Sequence, residues 1–190
     1  MAELDSMLDF ACNILHEAGR LTLGYFDRTL EVIDKSDGSP VTIADREAEA
    51  QLRAAISRRY PNHGIVGEEH GAKAPDPSTS YTWYIDPIDG TKSFIHGVPL
   101  YSNLLAVIRD GVPVIGLINI PAIGQLMHAA EGRGCFLNGR RVAVSSVATV
   151  ERAICLTSSA EHLARHAPTP GWRSIWDRSK FNRTWGDGYG

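Results

Sequence analysis

Asp86-Pro87-Ile88-Asp89-Gly90-Thr91 sets two carboxylates three residues apart, around a proline and just ahead of a glycine. Pro87 biases the residue before it toward extended backbone and stiffens the turn, so both carboxylates are aimed at one place. Carboxylate oxygens are hard ligands of the kind that suits Mg²⁺, which takes one or two of them together with waters and phosphate oxygens. Gly90 lacks a Cβ, which lets the backbone approach a ligand while the N–H groups of Gly90 and Thr91 face an anion. Carboxylate-held metal beside a backbone nest is phosphate chemistry. The bare D-x-x-D-G pattern also suits a polar strand-to-helix turn with an aspartate cap, so the surrounding residues have to decide.

Gly67-Glu68-Glu69-His70-Gly71 is a second acidic turn, placed directly after an apolar segment, from which Glu68 could reach the same metals. Taken alone it also reads as a solvated turn. Asp45 has two readings of equal weight, a catalytic one and that of the fourth residue of a Thr42-x-x-Asp45 capping box. Other chemically able residues are set aside. His162 and His166 stand at a zinc-compatible i, i+4 spacing but have no third ligand at a usable distance along the chain. His16-Glu17 lacks the second histidine of a metalloprotease helix, Ser159 has no elbow glycines, and Lys92 reads as a surface lysine.

These groups need elements to hold them. Leu4, Leu8, Ala11, Leu15 and Ala18 recur at three-and-four spacing and predict an amphipathic helix over 4–26. A short strand at 30–33 runs into the turn formers Asp37-Gly38-Ser39-Pro40, and a second helix over 43–60 starts at Thr42 and stops at Pro61. A strand is expected at 64–67, a surface loop at 71–80, and a strand at 81–86 leading into the Asp86 turn. Segments 103–109, 112–120 and 126–130, joined by Asp110-Gly111 and a turn at 121–124, predict an antiparallel meander. Asn138-Gly139 marks a further hairpin ahead of a strand at 142–144.

Near Ser146 this rhythm changes. The chain therefore reads as an N-terminal α+β domain over 1–146 and an incomplete C-terminal α/β domain over 147–190, with a strand at 153–157, a helix at 159–166 and a break at 168–170. The expected fold class is α+β, with helices packed on a mostly antiparallel sheet.

Among 190 residues, 43% are hydrophobic and 22% charged, with a formal net charge of −3 and no basic cluster. That balance gives no footprint for nucleic acid or an anionic membrane and favours a small-molecule partner. Three dispersed cysteines, Cys12, Cys135 and Cys155, form no disulfide framework, and the acidic start Met1-Ala2-Glu3-Leu4-Asp5 is unlike a secretory signal. A cytoplasmic location is expected.

V-T-x-x-D at Val41 to Asp45, G-E-E at Gly67 to Glu69 and W-x-I-D-P-I-D-G-T-x-S-F at Trp83 to Phe94, followed by G-x-G-C-F-x-N-G at Gly132 to Gly139, resemble in order and spacing the motifs of the inositol monophosphatase superfamily. The resemblance implies a layered α/β sandwich, a homodimer and Mg²⁺-dependent hydrolysis of a small phosphomonoester by metal-activated water. It implies that Glu68, Asp86, Asp89 and the backbone carbonyl of Ile88 hold Mg²⁺, and that Asp89, Gly90 and Thr91 meet the phosphate. Thr91, hydrogen-bonded to Asp45, would join Glu68 in orienting the water.

Arg183-Thr184-Trp185-Gly186-Asp187-Gly188-Tyr189-Gly190 looks more like the histidinol-phosphatase branch than the inositol branch, which makes Asp187 a candidate partner for a substrate ammonium or imidazole. The alternative is that Trp185 and Tyr189 pack a domain interface and Asp187 is a turn acid. Trp176-Asp177 is similar by letters to the family's W-D metal segment, but it precedes the W-G-D stretch instead of following it and is not counted. Relatives continue past the position of Gly190 and supply a further metal-binding aspartate there. The resemblance thus leaves room for inositol-phosphate or other sugar-phosphate hydrolysis, and for a catalytically silent binding or assembly fragment.

Overall fold

The structure, a computed structural model, describes residues 2–29, 31–34, 40–166 and 171–185. Helix α1 (Ala2–Tyr25) buries Ala11, Leu15 and Ala18 of the predicted stripe together with Met7 and Ile14, while Leu4 and Leu8 of that stripe pack half-buried against the core. After the short strands β1 (Ile33–Asp34) and β2 (Pro40–Val41), helix α2 (Ile43–Arg59) begins at the Thr42 cap with the capping box formed, and buries Ala48, Leu52 and Ile56. Of the turn predicted at 37–40, positions 37–39 lie outside the described residues, as does Leu30.

The remaining elements are mainly strands: β3 (Gly64–Gly67), β4 (Gly71–Lys73), β5 (Tyr81–Asp89), β6 (Ser102–Arg109), β7 (Val112–Ile120), β8 (Gln125–Ala130), β9 (Gly134–Leu137) and β10 (Arg140–Val142), with the short helix α3 (Thr91–Ile95) after β5. Among the described residues these strands make one eight-stranded sheet in the order β10-β9-β8-β7-β6-β5-β3-β4. Its pairings are antiparallel except β3 with β5, whose parallel pairing brings the C-terminal ends of both strands to the same edge. The chain is α+β, a mostly antiparallel sheet with helices laid on it.

Helices α1 and α2 pack on one face of the sheet. The core between them joins Leu15, Leu52 and Ile56 to Ile65, Trp83, Leu105, Val107 and Ile115. Trp83 is fully buried and its indole N–H donates to His63 Nδ1 at 3.0 Å, so the one polar atom of the largest core side chain is satisfied. A smaller cluster of Ala44, Ile88, Phe94 and Tyr101 lies directly beneath the turn that follows β5.

Four expectations are corrected. The 71–80 segment is not all loop, because Ala72 and Lys73 pair with Val66 and Ile65 along the otherwise open edge of β3. β5 does not stop at Asp86 but runs through Pro87 to Asp89 by way of a bulge. The strand after Asn138-Gly139 occupies Arg140–Val142, because a two-residue hairpin fixes its register against β9. Past the strand β11 (Ile154–Leu156) and the helix α4 (Ala160–His166), the segment read only as aromatic holds helix α5 (Gly171–Arg178) and strand β12 (Phe181–Arg183), which pairs in parallel with β11. The 168–170 break falls outside the described residues.

Because Leu52 is fully buried and Leu23 is 43% exposed, the two leucines should separate cleanly on truncation. Leu52→Ala is expected to lower the unfolding free energy by about 2–5 kcal/mol. Leu23→Ala is expected to stay within about 0.5 kcal/mol. Urea unfolding of the two variants checks this, and equal losses would place the core elsewhere.

Candidate metal and phosphate site

β5 delivers the central carboxylates. Trp83 and Ile85 are buried while Tyr84 faces outward, and this alternation puts Asp86 on the face away from the helices. Pro87 cannot donate to the ladder, and the register jumps there: Asp86 lies opposite Leu104 and Asp89 opposite Ser102, so Pro87 and Ile88 together face Asn103. The bulge sinks Ile88, 2% exposed, into the cluster with Phe94 and Tyr101. Beyond it, Asp89 Oδ2 accepts a hydrogen bond from Ser102 Oγ at 3.2 Å. Gly90 then takes the left-handed backbone, φ 88° and ψ 41°, and α3 starts at Thr91.

Glu68 arrives from the end of the neighbouring β3, and the structure explains how its turn is held. Glu49, fully buried on α2, accepts the backbone N–H of Glu69 at 2.6 Å and of His70 at 3.0 Å, and pairs with Arg53 at 3.2 Å. Arg53 in turn donates to the Gly71 carbonyl at 2.9 Å. A Cβ on Gly67 would lie 2.0 Å from Glu49 Oε1, so a side chain there would push the Glu49 carboxylate out of this position. Sequence reasoning missed Glu49. The available signal was a charged residue beside Ala48 in a buried helical stripe, one turn after Asp45.

Asp86 is where the electrostatics concentrate. Burial raises its carboxyl, the charges of Glu68 and Asp89 raise it further, and a hydrogen bond with Glu68 and the charge of Asp45 add to this, bringing it from 3.8 to about 8. Four of the expected site carboxylates are therefore close enough to feel one another. Glu68 and Asp86 also line a cavity of about 730 Å³ whose other walls include Leu104, Ile118 and Met127. Asp86 Oδ1 is buried with no hydrogen-bond partner. An orphaned, hard carboxyl oxygen among other carboxylates fits a divalent cation such as Mg²⁺. Among the described residues no three His, Cys, Asp or Glu side chains form a ready-made cage.

Asp45 and Thr91 differ from expectation in one bond. Thr91 Oγ1 donates to the Ile88 carbonyl at 3.1 Å, not to Asp45. Asp45 Oδ2 is turned to its own helix cap, accepting from Thr42 N at 2.8 Å and Thr42 Oγ1 at 2.7 Å. The capping reading of Asp45 is thus realised, while its burial raises the carboxyl despite those two bonds. Lys92 is exposed, as a surface lysine should be. Asp177 pairs with Arg173 at 3.1 Å on α5. Asp187 and the side chains of His162 and His166 lie outside the described residues.

Residues 3–172 match the inositol monophosphatase family. The chain belongs to the inositol monophosphatase family. It is 41% identical over 185 residues to a histidinol-phosphatase of Chlorobaculum parvum, covering 96% of this chain and 70% of that one. It is 39% identical over 182 residues to a histidinol-phosphatase of Mycobacterium tuberculosis, covering 91% of this chain and 66% of the relative. An inositol monophosphatase of Thermotoga maritima superposes with a TM-score of 0.80 at 31% identity, over 94% of this chain and 67% of that structure. The inositol monophosphatase family assignment accords with the sheet and helices described above.

The raised carboxyl gives a pH dependence whose sign follows from linkage. Between pH 3.8 and about 8 folded Asp86 keeps a proton that the unfolded chain has released, so stability from this group is full below that window and lost as pH rises through it. In EDTA, the melting temperature is therefore expected to fall from pH 5 to pH 8.5, and Asp86→Asn to flatten the fall. An equally steep fall in Asp86→Asn would assign the dependence to another group.

Proposed function

We propose that this chain holds the metal- and phosphate-binding part of a Mg²⁺-dependent phosphomonoesterase acting on L-histidinol phosphate, releasing L-histidinol and phosphate. The observation that supports it most is the buried, unpartnered Asp86 Oδ1 set among Glu68, Asp89 and Asp45. Asp86, Asp89, Glu68 and the Ile88 carbonyl would hold the cation; that carbonyl has a second lone pair beyond the one engaged by Thr91. Bound Mg²⁺ supplies Lewis-acid charge to the phosphoryl oxygens and acidifies water.

The chain's own residues do the rest. Ser102 fixes the Asp89 carboxylate in place. Thr91, its proton committed to Ile88, presents oxygen lone pairs that accept from the attacking water, and Glu68 takes that water's proton as its oxygen bonds to phosphorus, the ester P–O bond breaks and the departing alkoxide takes a proton from solvent. The N–H groups of Gly90 and Thr91, at the start of α3, receive phosphate oxygens as charge grows on them. Asp45, hydrogen-bonded to Thr42, adds negative charge that helps keep the Asp86 carboxyl basic.

The histidinol-phosphatase names of the Chlorobaculum and Mycobacterium relatives, and Asp187 in the W-G-D stretch, support L-histidinol phosphate as substrate. The inositol monophosphatase of Thermotoga supports an inositol phosphate as the competing choice. We take the working protein to be a cytoplasmic homodimer with small phosphorylated metabolites as its partners.

Phosphate release from L-histidinol phosphate and from myo-inositol 1-phosphate, with and without Mg²⁺, tests this reading. Release is expected to require Mg²⁺, to fall by at least about a hundredfold in Asp86→Asn, and to be faster for L-histidinol phosphate. The reverse ranking would overturn the substrate. No release despite a melting temperature raised by Mg²⁺ would make the chain a silent binding unit.

A further inference from the structure

We infer that Asn103, backed by Asn119 and by Gly19 of α1, is a positioning residue that sets the 86–89 bulge for cation binding; this rests on the reading of Asp86 and Asp89 as cation ligands. Three independent observations meet here.

The first is the geometry of the bulge. Two β5 residues, Pro87 and Ile88, stand against the single residue Asn103 on β6, so the normal ladder bonds are interrupted there. Pro87 has no N–H to offer to the ladder. Asn103, fully buried, supplies a donor: its Nδ2 reaches the Pro87 carbonyl at 2.7 Å. That carbonyl belongs to the residue bonded directly to Asp86, so the bond fixes the backbone from which the Asp86 side chain departs.

The second is what holds Asn103. Its cross-strand partner on β7 is Asn119, 4% exposed, whose Nδ2 donates to Asn103 Oδ1 at 2.9 Å. That bond fixes which end of the Asn103 amide is oxygen and thus leaves its N–H₂ for Pro87. Asn119 Nδ2 also lies 3.5 Å from the Leu15 carbonyl, and Asn103 Nδ2 lies 3.4 Å from Thr22 Oγ1. Thr22 Oγ1 itself donates to the Gly19 carbonyl at 3.0 Å and sits 3.4 Å from the Tyr101 hydroxyl. A line of buried polar groups therefore runs from helix α1 through β7 and β6 to the bulge.

The third is the helix surface behind the pair. A Cβ on Gly19 would lie 2.2 Å from Asn119 Nδ2 and 3.1 Å from Asn103 Oδ1. Glycine, unfavourable in a helix interior, is used where α1 must approach the two amides closely. Asparagines facing each other inside a sheet are poor core residues, and their retention here makes sense as a rigid stay for a backbone that cannot stay itself.

The experiment measures Mg²⁺ affinity of the 190-residue chain by calorimetric titration and by the Mg²⁺ dependence of its melting temperature, using wild type, Asn103→Leu, Gly19→Ala and a remote core truncation, Ile56→Ala. Asn103→Leu is expected to weaken Mg²⁺ binding about tenfold or more, in the range typical of groups that orient metal ligands. Gly19→Ala, which leaves Asn103 in place but displaces its partner, is expected to weaken it less. Ile56→Ala is expected to lower the metal-free melting temperature with Mg²⁺ affinity unchanged, which separates positioning from general loss of stability. If Asn103→Leu does not fold, Gly19→Ala and Asn119→Ser decide: wild-type affinity in both overturns the inference. Wild-type affinity in folded Asn103→Leu overturns it while leaving the metal site standing. No Mg²⁺ response in the wild type overturns both.

Discussion

Like charges brought together at the edge of an apolar cavity are the constraint around which this protein is arranged. Burial, and then the charges of Glu68, Asp89 and Asp45, raise the cost of ionising Asp86, so these carboxylates do not gather by mutual preference. Each is instead fixed from behind by a buried polar group. Glu49 gathers the N–H groups that follow Glu68, Asn103 takes the carbonyl that follows Asp86, Ser102 takes Asp89, and Thr42 takes Asp45. A buried polar group left unmatched costs about 1–3 kcal/mol, which is why these anchors come with partners of their own.

The two long helices serve both the core and this arrangement. α1 buries Met7, Leu15 and Ala18 against the sheet, then offers Gly19 and Thr22 to the asparagine pair one turn later. α2 buries Leu52 and Ile56, while its first two turns supply Asp45 and Glu49. Apolar burial provides the adhesion, and the polar residues on the same faces spend that rigidity on the position of a few carboxylates. The parallel β3–β5 pairing completes the design by ending two strands side by side, each with its acidic turn.

Much of the fold was legible because its signals are local. The 3.6-residue period of α1, the Thr42 capping box and Pro61 stop of α2, and the Asp110-Gly111 turn between β6 and β7 each follow from a few neighbouring residues. What escaped was structure defined by a partner. β4 is three residues with no pattern of its own, made a strand by the open edge of β3. Pro87 reads as the end of a strand, yet the ladder resumes at Asp89 past a bulge where the Asn103 side chain donates to the Pro87 carbonyl. Trp172 and Trp176 read as an aromatic stretch, though their spacing also fits the helix α5 that they occupy.

By itself the sequence determined the chemistry on offer: which turns are acidic, which are hard-ligand, where glycine frees the backbone beside them, and in what order the motifs run. Those depend on residue identity and nearest neighbours. Only the tertiary structure decided that Asp86 is pushed to about 8, that Thr91 gives its proton to Ile88 instead of Asp45, and that Asn103, Asn119 and Glu49 stand behind the acidic turns. The hydrogen bonds that place Asn103, Asn119 and Glu49 behind those turns join groups 16 to 104 residues apart along the chain, and no local pattern encodes such an encounter.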